Sequence, residues 1–253
     1  SPMVYKQGLQ ILEDWAHGVS FEPTEIDKER GVIVEEWRLG RGAGARLRDK
    51  YFPVLLKGSQ YAKRLPIGTR SNIDTAHYST LTSFYKDWYR PDLQAIIVVG
   101  DVDVAETEKI IKEHFENIPA AVNPKPRIKY SIPSHTETRT AILTDPEQPY
   151  NVVQIYYTRP EIPPVRTEAQ FRTDIVNDLF NQMMRSRLDE IAQKPEAPFL
   201  FGNSSYGAFS GDKYVFTLWA VAKTGKDMTA SIQTLLTENE REKQYDFLHS
   251  DMN

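Results

Sequence analysis

Residues Ala95-Ile-Ile-Val-Val99, closed by Gly100, form a continuous apolar and mostly β-branched run. Such a run reads as a strand buried on both faces. A strand of that kind cannot stand alone, because its N–H and C=O groups need ladder partners and even isolated hairpins are marginal in water. Yet the rest of residues 1–120 reads as helix. Partner strands must therefore come from elsewhere, and the chain is expected to be truncated at its N-terminus. Its opening, Ser1-Pro-Met-Val-Tyr-Lys-Gln-Gly-Leu-Gln10, has none of the regions of a signal peptide and enters a helix at once.

The helices follow from spacing and caps. Residues 4–16 place Leu9, Leu12 and Trp15 at helical intervals. Pro23 and Thr24 open a helix over 24–40, with Thr24 as N-cap, and Gly40-Arg-Gly-Ala-Gly44 breaks it. A short helix is expected over 45–57 despite Pro53. A turn-rich segment, Tyr61–Thr69, leads to a helix from Thr75 to Trp88, which Arg90-Pro91 ends. Asp103-x-x-Glu106 is a capping box that starts a helix through Phe115, with Ile110 and Ile111 inward.

Residues 117–133 carry prolines at 119, 124, 126 and 133 and read as a connecting stretch. Beyond it the pattern changes. Thr138–Leu143 and Asn151–Thr158 are expected strands, and 167–193 a long amphipathic helix with Ile175, Leu179, Met183, Leu188 and Ile191 on adjoining positions. Ser204–Phe209 and Lys213–Ala222 read as a hairpin across Ser210-Gly211-Asp212. A last helix spans Asp227–Tyr245, with Ile232, Leu235 and Leu236 inward. The order ββαββα predicts an α+β sandwich of sheet and helices.

At 253 residues the chain suits one large or two ordinary domains. A net charge of −4 from interspersed charges argues against nucleic acid. The absence of cysteine removes disulfides, zinc–thiolate sites and thiol nucleophiles together. No apolar run is long enough to span a bilayer.

One stretch carries candidate chemistry: Glu25-Ile-Asp-Lys-Glu29-Arg30-Gly-Val-Ile-Val-Glu35-Glu36-Trp37-Arg38. Glu29 and Glu36 are two helical turns apart, so their carboxylates fall within roughly 20° of each other on one face. Ile33 lies between them and makes that face partly apolar, where a carboxylate needs a cation to meet it. Metal, arginine or histidine could each serve. The same residues also suit a solvated face laced with i,i+3 and i,i+4 ion pairs.

The motif Glu29-Arg30-x-Val-x-x-Glu35-Glu36 resembles the ligand helix of the M16 (insulinase/pitrilysin-like) zinc metallopeptidases. Further segments in the same order resemble that family too: Tyr61-Ala-Lys-Arg-Leu-Pro66-Ile-Gly68, Phe84-Tyr85-Lys-x-Trp88-Tyr89-Arg90-Pro91, Ile97-Val-Val-Gly100-Asp101, Phe115-x-x-Ile118-Pro119, and Arg185-Ser-Arg187-Leu188-x-Glu190-Ile191 with Ala197-Pro198-Phe199. The resemblance implies two related sheet-and-helix sandwich domains of the M16/LuxS-like metallohydrolase type, the first one incomplete. Residues 1–120 would be the C-terminal portion of the first domain, 121–135 a linker and 136–253 the second domain.

It further implies zinc (Zn2+), held by an inverted His-x-x-Glu-His motif and a later carboxylate. Glu36 stands at that carboxylate's place, and Glu29 where the family keeps a supporting glutamate. The five histidines, His17, His77, His114, His135 and His249, form no such motif. The chain by itself is thus expected to be inactive, a fragment of an endopeptidase that cuts peptides or short unfolded segments. Its expected partners are a peptide substrate and the remaining M16 domains or a second M16 subunit, with no nucleic acid and no membrane span. An alternative is a non-catalytic M16-like subunit serving as scaffold or half-chamber, and another a generic α+β binding module. The resemblance places the protein in a bacterial cell envelope or periplasm, with the cytoplasm as alternative.

Overall fold

A computed structural model of the chain describes residues 2–160, 167–210 and 213–245. They form eight α-helices and three strands: α1 (Pro2–His17), α2 (Pro23–Leu39), α3 (Ala43–Leu55), α4 (Arg70–Thr75), α5 (Tyr78–Trp88), α6 (Val104–Phe115), β1 (Asn151–Pro160), α7 (Glu168–Ala192), β2 (Phe199–Ser210), β3 (Lys213–Ala222) and α8 (Met228–Tyr245). The chain divides into two compact units. The first comprises Ser1–Gly40 with Pro66–Ile128, the second Arg41–Leu65 with Lys129–Asn253.

The second unit is α+β, and its heart is an antiparallel sheet of order β1-β3-β2. Alternation along β3 places Leu218 and Ala220 on the face turned to the helices, opposite Ile155 and Val153 of β1. Met184, Leu188 and Ile191 of α7 and Leu235 of α8 complete this core with Phe199. Helix and strand approach closely at Gly202, where a β-carbon would lie 3.2 Å from Leu188 Cδ1. A side chain there would displace the core.

The inward faces of α7 and α8 differ from expectation. On α7 the buried residues are Asn181, Met184, Leu188 and Ile191, whereas Ile175 and Leu179 are exposed. Asn181 is tolerated inside because its Oδ1 accepts from Ser204 Oγ at 2.9 Å and its Nδ2 donates to Asn177 O at 2.8 Å. On α8 the inward stripe is Ser231, Leu235, Glu238 and Glu242, and Ile232 and Leu236 lie outside it. Burying Glu238 is offset by Arg187 and Arg241, whose Nε atoms each donate to its Oε2 at 2.9 Å. Arg187 is therefore held inward.

Other elements also depart from the sequence reading. Thr138–Leu143 pairs with no described strand, and Ile142 is 93% exposed; the sheet element before α7 is β1 alone. The predicted strand Ala95–Val99 likewise forms no ladder among the described residues, and Ile97 and Val99 are 82% and 91% exposed. Apolar composition marked it as strand-forming, but no described segment offers backbone groups to pair with it. The helix expected over 75–88 begins three residues later, at Tyr78, as α5; Thr75 instead ends α4, and Ala76 and His77 between the two take extended backbone. Helix α2 begins one residue earlier than expected: Glu22 is the N-cap, Pro23 fills the first turn and Thr24 is already helical. The hairpin strands are in place, while Gly211 and Asp212 of its turn lie outside the described residues.

The first unit contains α1, α2, α4, α5 and α6. α1 and α6 pack together. Lys6 pairs with Glu106 at 3.4 Å, and His114 Nδ1 meets Glu13 Oε2 at 2.6 Å. Asp103 caps α6 by accepting from the backbone N–H of Glu106 at 2.8 Å. Leu9 and Ile110 are buried; Leu12 and Trp15, expected to share Leu9's face, are exposed.

Candidate functional site

Helix α2 is weakly amphipathic. Ile26, Ile33, Val34 and Trp37 are half-buried, and no residue of the helix is fully buried. What anchors it is polar and directional. Arg30 Nη1 donates to Ile73 O at 2.5 Å, Nη2 donates to Ala76 O, and Nε donates to Asp27 Oδ1 at 3.1 Å. Asp27 Oδ2 in turn accepts from the Tyr78 hydroxyl at 2.7 Å, and the guanidinium carbon lies 5.8 Å from the centre of the Tyr78 ring. The Tyr78 and Arg30 bonds hold the Asp27 carboxyl below its ordinary value, and the bond to Asp27 raises the Tyr78 hydroxyl.

The other carboxylates of α2 sort into two sets. Glu25 accepts from Lys28 Nζ at 2.6 Å and Glu35 from Arg38 Nε at 2.9 Å, ordinary i,i+3 pairs. Glu29 and Glu36 are exposed, and their carboxylates make no hydrogen bond or ion pair with any described residue. They project from one side of the helix with half-buried Ile33 between them, as the spacing predicts.

No group of three His, Cys, Asp or Glu that could hold a metal exists among the described residues. The histidines are dispersed. His114 is engaged by Glu13, His135 Nδ1 lies 2.8 Å from Glu137 O, His17 ends α1, and His77 precedes α5. His249 lies outside the described residues. The partner of His114 comes from a helix about a hundred positions away, which no local pattern around Glu113 and Glu116 announces.

A family model described as the peptidase M16 inactive domain matches residues 76–247. The chain belongs to the M16 peptidase family. The probable zinc protease PqqL of Escherichia coli K12 is 30% identical over 241 residues, which cover 94% of this chain and 26% of that relative. A zinc protease PQQL-like protein of Arabidopsis thaliana is 30% identical over 199 residues, covering 78% of this chain and 21% of that relative. The chain thus spans about a quarter of the Escherichia coli relative's length and about a fifth of the Arabidopsis one's.

Among solved structures, the first half of the periplasmic protease PqqL from Escherichia coli superposes with a TM-score of 0.85 at 27% identity, over 99% of this chain and 53% of that one. Pitrilysin matches with a TM-score of 0.66 at 17% identity, over 95% of this chain and 26% of that one, a likeness of fold. The mixed helix-and-sheet architecture is that of the M16 proteases.

Zinc is the metal named for these relatives. An ion-pair-free, accessible carboxylate such as Glu36 is a suitable oxygen donor for it. A closed or catalytic zinc site needs three or four donors, and the described residues bring no such set together.

Proposed function

We propose that this chain is part of a zinc-dependent M16 endopeptidase that hydrolyses peptides or short unfolded segments, with Glu36 as one metal ligand and Glu29 as its supporting carboxylate. The observation that carries this reading is the sorting of charges on α2. Glu25, Asp27 and Glu35 are each paired, while Glu29 and Glu36 are left free on one face.

When bound, zinc supplies a Lewis acid that makes a water nucleophilic near neutral pH. The chain's own contribution is to hold a deprotonated carboxylate at a fixed height on a helix. Glu29, one face and two turns away, adds negative charge that orients and strengthens donors around the metal. The remaining donors, and with them activity, would come from outside this chain; residues 1–120 would then be the later portion of a first domain, 121–135 a linker and 136–253 a second domain. The periplasmic relative favours the same compartment for this protein, with the cytoplasm as alternative.

A second reading is a non-catalytic M16 subunit serving as scaffold for an active partner. The description of the matched family model as an inactive domain favours it. That model begins at residue 76, however, and leaves α2 outside.

The two readings separate in the polypeptide that carries this chain. Glu36→Gln removes most bound zinc and peptidase activity under the first reading, with the fold kept. Glu29→Gln lowers activity by about 10–100-fold, the usual effect of losing a residue that supports a ligand. Glu35→Gln, about 100° round the helix from Glu36, leaves both unchanged. Unchanged zinc content in Glu36→Gln, measured by metal analysis, rejects the first reading.

A further inference from the structure

We propose that Arg30, together with Asp27 and Tyr78, is a positioning clamp that sets the rotation of α2 about its own axis and thereby aims Glu29 and Glu36. The proposal rests on the reading of those two carboxylates given above.

Apolar burial alone cannot set that angle. Hydrophobic contact is non-directional, and α2 buries no residue fully. A glutamate at the helix surface reaches about 5–6 Å from the axis, so a rotation of about 10° shifts it by about 1 Å. Displacements of that size cost on the order of 100-fold in sites that depend on fixed geometry. Something with directional bonds has to resist the rotation.

Arg30 has the required chemistry. Its planar guanidinium spends all three nitrogens: Nε on Asp27 of its own helix, Nη1 on Ile73 O and Nη2 on Ala76 O. Those carbonyls lie at the C-terminal end of α4, where helix carbonyls lack internal partners and the helix dipole is negative. Asp27 extends the grip to α5 through the Tyr78 hydroxyl. The helix is thereby fastened to two successive elements from one side. On a helical projection Arg30 lies about 100° from Glu29 and about 120° from Glu36, so the fastening and the free carboxylates do not compete for space. The Arg30 side chain is 20% exposed, which protects its bonds from water without sealing them away.

The test uses the full polypeptide carrying this chain. Arg30→Lys keeps the charge and removes the fork, since an ammonium is a point charge without paired donors. Tyr78→Phe keeps the ring and removes the hydroxyl. Zinc affinity by chelator competition, and kcat and KM on an unstructured peptide, are measured for both, beside Glu36→Gln and the thermal midpoint of each protein. The clamp predicts that Arg30→Lys weakens zinc binding and lowers kcat by about 10-fold or more, with KM little changed; Tyr78→Phe does the same to a smaller degree. A clamp that only stabilises the fold would lower the midpoint and leave zinc affinity and kcat of the folded protein intact, and that result overturns the proposal. If Arg30→Lys fails to fold, Tyr78→Phe decides by the same criterion. Loss of zinc in Glu36→Gln with none in the clamp variants rejects the clamp alone. Full zinc in Glu36→Gln rejects both the reading of Glu36 and the clamp built on it.

Discussion

Asp145 is held by two nitrogens of one arginine. Arg46 Nε donates to its Oδ2 at 2.7 Å and Nη2 to its Oδ1 at 2.6 Å, and the Glu147 backbone N–H adds a bond at 3.1 Å. The Arg46 bonds dominate and bring the carboxyl from an ordinary 3.8 down to about 2. A depressed carboxyl stabilises the fold above its unfolded value and stops doing so as pH falls through its folded value. The stability difference between the wild type and Asp145→Asn is therefore full at pH 5 and above, and shrinks between about pH 4 and 2. Urea midpoints across that range measure it; a difference independent of pH would show that the pair contributes through packing and not charge. At this scale the sequence was legible where the partner is local, as in Glu35 with Arg38. Arg46 with Asp145, or His114 with Glu13, join positions about a hundred apart, and nothing in the neighbouring residues encodes such a meeting.

Elements were legible to the extent that their signals are local. The cap at Asp103 and the spacing of Ile110 fixed α6 within a residue or two, and the apolar alternation of Lys213–Ala222 identified β3. Inward faces were read less well. Apolar periodicity favoured Ile232 and Leu236 on α8, but Ser231, Glu238 and Glu242 face inward because Arg187 and Arg241 compensate the carboxylates. The run Ala95–Val99 shows the opposite limit, since apolar content reports a need for partners and not their presence. The α7–sheet contact gives a quantitative test of packing. Leu188 is fully buried and touches the space above Gly202. Leu188→Ala should cost about 2–5 kcal/mol. Gly202→Ala should also destabilise, because its methyl meets Leu188 at 3.2 Å. In the double variant the new methyl occupies part of the cavity, so the loss is smaller than the sum of the two by about 0.5 kcal/mol or more. Denaturant unfolding of the four proteins checks this, and strict additivity would mean that backbone movement, not the side chain, relieves the clash.

The whole molecule poses a question of completeness for the candidate site. Glu29 and Glu36 are presented together on α2 with the spacing read from the sequence, yet the described residues form no group of three metal donors. A single carboxylate binds zinc weakly, whereas three donors held in place bind it tightly, and tight binding to the folded state alone raises stability by RT ln(1 + [L]/Kd). The two situations differ by a measurable shift. For this 253-residue chain alone, micromolar zinc should leave the thermal midpoint unchanged. For the longer polypeptide proposed to contain it, zinc at about 100 times its Kd should add about 2.7 kcal/mol and raise the midpoint by several degrees. Glu36→Gln should abolish that rise while Glu35→Gln preserves it, which ties the effect to the named carboxylate and not to charge on α2. A zinc-induced rise in the isolated chain that survives Glu36→Gln would locate metal binding elsewhere in these residues and remove the physical basis for assigning the ligand to α2.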